Sequence, residues 1–223
     1  MPAHLAICSL RWAEFALLYL GMPLVICFCL PSKLLLPTLW VASAVVLVIL
    51  SRYYPADCPR LDLSASGRHL VKVLLRFLCA ALLLTVMLWH HDPNSLLRIL
   101  RHNPTLWSVI MVAYPLLSVL PQGVIYRRFY QARYAPLFGT HQRLSLVIGA
   151  AVFSLAHLTF RNHWALLFTF IGGLMFLSTY RTTRRSTMAN IEHALYGDFI
   201  FTIGWGKYLY HGTQALAEAA TTM

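Results

Sequence analysis

Seven apolar runs, each long enough to approach the width of a lipid bilayer, constrain the fold of this chain more than any other feature. A transmembrane helix needs roughly 20 apolar residues, and the bilayer core admits only helices and closed barrels. Only 11% of the 223 residues are charged, whereas a soluble domain carries about a quarter. The sequence therefore predicts an all-α polytopic membrane helical bundle with about seven transmembrane helices, forming a single membrane domain over residues 1–223. The runs lie at about residues 13–30, 34–50, 70–89, 106–126, 144–160, 164–180 and 187–205.

Basic residues are distributed unevenly between the two ends of these runs. If the runs alternate in direction, eleven arginines lie on the side of the N-terminus and five basic residues on the other. Because cytoplasmic loops collect lysine and arginine, this predicts an integral membrane protein with a cytoplasmic N-terminus, which we place in a bacterial inner membrane. The first side holds Arg11, Arg52, Arg60, Arg68, Arg127, Arg128, Arg133, Arg143, Arg181, Arg184 and Arg185; the other holds Lys33, Arg98, Arg101, Arg161 and Lys207.

The net charge of +11 comes from basic residues that lie mostly on one side of the predicted membrane spans. Anionic lipids attract basic residues next to membrane spans, so membrane lipids are the expected partners and nucleic acid is not. The first run leads directly into a second and has no small-residue cleavage site, so we expect it to stay attached. The five cysteines show no metal-type spacing and are expected to be free thiols: Cys8, Cys27, Cys29, Cys58 and Cys79.

Ionisable residues inside apolar runs are the first candidates for a functional site, because the bilayer makes them expensive. Of the seven acidic residues, only Glu14, Glu192 and Asp198 lie in the runs, and Glu14 lies at the edge of one. A histidine in such a run can also be an ordinary packing residue with its hydrogen bonds satisfied. The candidates are Arg127, Arg128, His157, Glu192, His193 and Asp198.

A turn in the middle of the chain brings two of the apolar runs together. The stretch "YAPLFGTHQ", residues 134–142, contains Pro136 and Gly139 and predicts a helix–helix turn. Gln122 and His157 are equally far from its centre, so they should lie at the same depth on antiparallel helices. We expect Gln122, His157 and His193 to converge on one polar cavity, within about 10 Å of each other.

Three short stretches resemble the motifs of a known family. "PQGVIYRRFY", "FSLAH" and "HALYGD" are similar to the motifs of the CPBP family of intramembrane endopeptidases. That family includes the CAAX prenyl endopeptidases and bacterial proteins linked to bacteriocin processing and immunity. Its motifs are two glutamates followed after three residues by arginine, then Phe-x-x-x-His, then His-x-x-x-Asn or Asp. The resemblance spans about residues 106–205, the expected family-like core, and implies a membrane-embedded peptidase.

The resemblance also implies roles for individual residues. Arg127 matches the family arginine, His157 closes the second motif and His193 opens the third. In the family, a glutamate and the second-motif histidine activate water, and the third-motif residues stabilise the oxyanion. Here, however, Gln122 and Gly123 occupy both glutamate positions, and glycine occupies the last position of the third motif, with Asp198 one residue later.

These departures bear directly on the chemistry. Peptide hydrolysis needs a group that accepts a proton from the attacking water, and neither the amide of Gln122 nor Gly123 can do so. His157 could act alone, but with a large loss of rate. Two histidines without a facing carboxylate make a poor zinc site, so neither a metal nor a cofactor is expected.

Gly123 removes the helical partner that the family pattern gives to Arg127, four residues away. A buried unpaired charge costs several kcal/mol, so Arg127 is expected to be paired with another acid. We expect that acid to be Asp198, which should lie at the cavity wall, rather than Glu192. Arg128 is expected to face a lipid headgroup or solvent.

Two functions from different classes remain open at this point. The first is a membrane-embedded endopeptidase acting on a membrane-associated peptide or protein, lipidated or not, with activity impaired by the missing glutamates. The second is a catalytically inactive family member that acts as a binding, immunity or scaffold protein. A transporter or channel subunit is the most distant choice, because no inverted repeat is evident in the sequence.

Overall fold

The computed structural model describes residues 2–57 and 67–209, and every regular element within those ranges is helical. The predicted all-α polytopic bundle is therefore confirmed. Six helices in the described part of the chain are long and apolar enough to cross a membrane. They are α1 (Cys8–Cys29), α2 (Ser32–Tyr53), α3 (Gly67–His91), α4 (Pro104–Phe138), α5 (Gln142–Phe160) and α6 (His163–Thr183).

The seventh predicted run corresponds to helix α7 (Ser186–Ile203), which is less apolar than the other six. It packs against α3, α4 and α6, and its polar residues Glu192 and His193 are 0% and 5% exposed. A helix that buries its polar residues against other helices can carry them without exposing them to lipid. This position explains why composition identifies six membrane-crossing helices where the apolar runs predicted about seven.

Helix α4 is irregular in a way that its sequence explains. Its turns widen over Pro115–Val119 and again over Val124–Tyr134. Proline lacks the N–H that the helical ladder needs, and Pro115 and Pro121 lie at or just before these wide turns. From α1, the Tyr19 hydroxyl donates a hydrogen bond of 2.8 Å to the carbonyl of Ile125. Widened turns of this kind often accompany functional sites.

The turn between α4 and α5 lies where the sequence predicted it. Helix α4 ends at Phe138 and α5 begins at Gln142, with Gly139 at a φ of +51°. Glycine adopts this conformation without the steric cost that other residues meet. Behind the turn, Gly173 of α6 approaches α5 so closely that an added Cβ would lie 3.0 Å from the Cα of Ala150. The α4–α5–α6 arrangement that carries the second motif is therefore tightly packed.

An ion-pair cluster fastens α1 to α4 at one end of the bundle. Arg133 donates from Nε and Nη2 to the two carboxylate oxygens of Glu14, at 2.7 and 2.5 Å. The hydroxyl of Tyr134 donates to the same carboxylate, and Arg133 also donates to the hydroxyl of Tyr54 at the end of α2. Glu14 therefore has a structural partner outside the candidate site.

The cysteines within the described residues are free thiols, as expected: Cys8, Cys27, Cys29 and Cys79. The expectation for Cys58 falls outside the described residues, as do most of the loop that contains it and the chain beyond residue 209.

Candidate active site

A large cavity of about 840 Å³ lies among the helices, and its wall is mostly apolar. Three of the residues predicted for the site line it, namely Gln122 from α4, His157 from α5 and His193 from α7. Tyr114 and Gly197 line it as well. Among the residues that the structure describes, no aspartate or glutamate belongs to the cavity wall. The cavity is therefore a mainly apolar chamber with a few converging polar groups.

His157 lies just beyond the regular part of α5, which ends at Leu155. Its Nδ1 lies 2.8 Å from the carbonyl oxygen of Phe153, one turn earlier. A carbonyl can only accept, so Nδ1 carries the proton, and in the neutral ring Nε2 presents a lone pair. The ring is therefore oriented as a proton acceptor, with a neutral carbonyl behind it in place of a carboxylate.

His193 is held on both sides of its ring by hydrogen bonds. Its Nδ1 accepts from Nη1 of Arg127 at 3.2 Å, and its Nε2 lies 3.0 Å from the hydroxyl of Tyr114. The ring also stacks on Phe176, with centroids 4.4 Å apart, and meets Phe153 edge-on at 5.6 Å. Phe153 contacts the ring of His157 too, at 4.8 Å, so one phenyl ring lies between the two histidines.

Arg127 is 2% exposed and does not line the main cavity in the described structure. Its Nη2 donates to the side-chain oxygen of Asn190 at 2.5 Å and to the carbonyl of Val119 at 3.3 Å. A Cβ added at Gly123 would lie 2.5 Å from both that Nη2 and the Asn190 oxygen. The guanidinium of Arg127 and the amide of Asn190 thus occupy the space next to Gly123, where the family pattern has a glutamate.

The expectation that Asp198 pairs with Arg127 is wrong. In the described structure Asp198 neither lines the cavity nor accepts a hydrogen bond from Arg127. Successive residues on a helix point about 100° apart, so Asp198 leaves the face that carries His193 and Gly197.

Glu192 has its own partner on another helix. Its Oε1 lies 2.8 Å from Nη2 of Arg76 on α3, and the same nitrogen donates to the Thr179 hydroxyl of α6. This pair joins three helices away from the cavity. Arg128 also departs from expectation: it is 7% exposed and therefore lies within the protein rather than facing solvent or a lipid headgroup.

Gln122 lines the cavity but supplies no base. Its amide nitrogen donates to the hydroxyl of Ser118 at 2.9 Å. Its Oε1 is buried and has no hydrogen-bond partner within the described part of the chain. An amide oxygen of this kind can accept a hydrogen bond from a ligand, but it cannot take up a proton from water near neutral pH.

Sequence reasoning missed three residues that complete this arrangement: Tyr114, Asn190 and Arg76. Tyr114 and Arg76 lie outside the motifs, and no spacing rule relates them to the third motif. Asn190 lies three residues before His193, a spacing that places two side chains on one helical face, so helical periodicity could have identified it.

Comparison with known families bears on this geometry. Residues 103–197 match the family described as type II CAAX prenyl endopeptidase Rce1-like. The matched stretch is less than half of the chain, but it contains Gln122, Arg127, His157 and His193 and ends at Gly197. Over this stretch the match supports the resemblance to the CPBP family that the three motifs indicate. Comparisons with curated proteins and with solved structures found no match.

Proposed function

We propose that this chain is a membrane-embedded endopeptidase of the CAAX type that hydrolyses slowly because the cavity has no carboxylate base. The observation that carries the proposal is the orientation of His157, whose Nδ1 is bonded to the carbonyl of Phe153 and whose Nε2 is left as a proton acceptor. The residues that bear the proposed chemistry are His157, His193 and Arg127, with Gln122 and Gly123 at the missing glutamate positions and Asp198 outside the reaction.

In the proposed reaction, water attacks the peptide carbonyl carbon while Nε2 of His157 takes up its proton. The resulting tetrahedral oxyanion collapses, the C–N bond breaks, and the His157 imidazolium returns the proton to the leaving amine. A carboxylate behind the imidazole would stabilise its charged form, whereas the Phe153 carbonyl carries only a dipole. The expected rate is accordingly low.

The cavity supports a substrate with an apolar membrane-associated portion. Its wall is mostly aliphatic and aromatic, with contributions from α1 and α2 such as Met22, Ile26 and Leu39. A lipid-modified peptide, the substrate class that the matched family's description names, fits this chemistry. We further propose that the chain forms one membrane domain in a bacterial inner membrane with a cytoplasmic N-terminus.

A binding, immunity or scaffold function is the second candidate, favoured by a specific observation. Among the described residues, no acidic side chain lines the cavity, and side chains from elsewhere occupy the space beside Gly123 and Gly197. A site with these features can retain a peptide without cleaving it.

A cleavage assay with matched variants separates the two candidates. The purified protein in nanodiscs is given a prenylated peptide with a C-terminal CAAX sequence, and cleavage and binding are both measured. Slow cleavage that His157→Ala abolishes is expected. Gln122→Glu should raise the rate by about 10²–10⁴-fold, because it supplies a base, whereas the control Gln122→Ala should not.

Two results would count against the peptidase. Binding of the peptide without cleavage by the wild type or by Gln122→Glu would favour the second candidate. If the peptide neither binds nor is cleaved, the CAAX-type substrate is wrong.

A further inference from the structure

Tyr114 is the one tyrosine whose hydroxyl hydrogen-bonds to the candidate catalytic histidines in the described structure. Its Oη lies 3.0 Å from Nε2 of His193, and the residue lines the cavity. Its ring packs edge-on against Phe201, with centroids 5.3 Å apart. Neither the motifs nor the roles implied by the resemblance include this residue.

The hydrogen bonds of the neighbouring residues fix the direction of the Tyr114 hydroxyl. Guanidinium nitrogens only donate, so Nδ1 of His193 accepts from Arg127 and carries no proton. The neutral ring must then carry its proton on Nε2, which donates to the oxygen of Tyr114. The hydroxyl hydrogen of Tyr114 is left to donate to another group, and Tyr114 has no second hydrogen-bond partner among the described residues.

Gly197 makes this arrangement sterically feasible. A Cβ added at Gly197 would lie 2.1 Å from Cε1 and 2.3 Å from Oη of Tyr114. Any other residue at position 197 would displace the tyrosine ring. The glycine at the last position of the third motif therefore makes room for a phenol from α4.

We propose that the hydroxyl of Tyr114, oriented by the Arg127–His193 pair, is the hydrogen-bond donor that the cavity presents to the carbonyl oxygen of a bound peptide. As that carbonyl becomes an oxyanion, the donor hydrogen bond strengthens, which is how such groups lower a barrier. The role rests on the proposed peptidase function. In this arrangement His193 acts as a positioning residue, because its Nε2–H is taken up by Tyr114.

Kinetics of Tyr114→Phe test the proposal directly. In the Gln122→Glu background, this variant keeps the ring and removes only the hydroxyl. We expect kcat to fall by about 10²-fold or more with KM little changed, because the lost bond matters most in the transition state. Tyr196→Phe is the matched control, since Tyr196 also lines the cavity but its hydroxyl has no hydrogen-bond partner in the described structure. Unchanged kcat in Tyr114→Phe, or a larger loss in Tyr196→Phe, would overturn the proposal.

Two substitutions, at positions 197 and 114, test whether Gly197 is needed to leave room for the ring of Tyr114. Gly197→Asn alone should displace Tyr114 and lower kcat as much as Tyr114→Phe does. Combining it with Tyr114→Ala should restore part of the rate, because the asparagine amide then has room to donate instead. Equal loss in the single and double variants would show that the space shared by positions 114 and 197 is not part of the site.

Nitrogen NMR of histidine-labelled protein in bilayers shows which atom donates in the hydrogen bond between Tyr114 and His193. This measurement needs no activity. If no variant cleaves the peptide, the proposed function is rejected, but the position of the proton on His193 can still be determined. His193, assigned by the spectrum of His193→Gln, should be neutral with its proton on Nε2, and Tyr114→Phe should shift that nitrogen. A proton on Nδ1 would show that Tyr114 donates to His193 and has no hydrogen left for a ligand.

Discussion

At the scale of single residues, two glycines shape the site because longer side chains occupy the space beside them. Arg127 and Asn190 lie beside Gly123, and Tyr114 lies beside Gly197. The side chains of Asn190 and His193, both neutral, accept hydrogen bonds from the buried guanidinium of Arg127. The contribution of Asn190 to the stability of the protein can therefore be measured separately from catalysis.

Asn190→Ala is expected to destabilise the protein by about 1–3 kcal/mol, because it leaves a buried charged donor without its closest acceptor. Gly123→Glu should reduce that penalty, since a glutamate four residues before Arg127 can pair with it once Asn190 is removed. Unfolding of the four variants of a double-mutant cycle in detergent measures the coupling. Additive effects would mean that positions 123 and 190 do not share Arg127.

The motif residues that face the cavity could be predicted from sequence, and their partners could not. The symmetry of the turn at Gly139 predicts that Gln122 and His157 lie together, the resemblance adds His193, and all three line one cavity. The predicted pairing of Arg127 with an acid is wrong, because an amide and an imidazole accept the hydrogen bonds of its guanidinium. Side-chain partners across helices depend on packing that periodicity does not encode.

At the scale of elements, α7 is held in the bundle by polar contacts with α3. Glu192 is 0% exposed and pairs with Arg76, whose side chain is 41% exposed. Arg76→Met leaves the carboxylate buried without its cation. We expect a loss of about 2 kcal/mol, less than for a fully buried pair because the side chain of Arg76 is only partly buried.

The double variant Arg76→Met/Glu192→Leu should be more stable than Arg76→Met alone, because an apolar pair removes the uncompensated charge. Thermal unfolding in detergent, monitored by a reporter on α7, measures the stability of the single and the double variant. If Arg76→Met alone has no effect, the Arg76–Glu192 pair does not stabilise α7.

A second polar contact fastens the end of α3 to the turn after α7, and it should depend on pH. Lys207 and then Ser95 donate to the carboxylate of Asp92 and hold its pKa below the usual value. Since the folded pKa is the lower one, the contact stabilises the protein above about pH 4 and is lost as the pH falls through the folded pKa.

Asp92→Asn should remove this part of the acid sensitivity. Free energies of unfolding between about pH 2 and 6 compare the variant with the wild type. Parallel curves for the wild type and Asp92→Asn would show that the contact adds nothing to stability.

At the scale of the whole molecule, the fold class followed from composition, whereas the number of membrane-crossing helices did not. Low charge and long apolar runs leave only a helical bundle, which the structure has. Helix α7 lies inside that bundle, so its sequence carries polar residues that lower its apolar content. A helix shielded from lipid cannot be recognised by lipid-facing composition alone.

The direction of α7 determines the topology of the protein and gives the last prediction. Its 18 residues extend about 27 Å, close to the thickness of the hydrocarbon core. If α7 crosses the membrane with the other six, the chain crosses seven times and its two ends lie on opposite sides. The excess of arginine on the N-terminal side then puts the N-terminus in the cytoplasm.

Reporter fusions at the two termini measure this directly, with an enzyme that is active only outside the cytoplasm and a fluorescent protein that matures only inside. The N-terminal fusion should report the cytoplasm and the C-terminal fusion the opposite side. A single cysteine introduced at Asn94, which is exposed between α3 and α4, in an otherwise cysteine-free chain provides an internal control. It should react with a membrane-impermeant reagent added from outside. Both termini on the cytoplasmic side, with position 94 still labelled from outside, would mean that the chain crosses an even number of times and that α7 enters the bundle without crossing it.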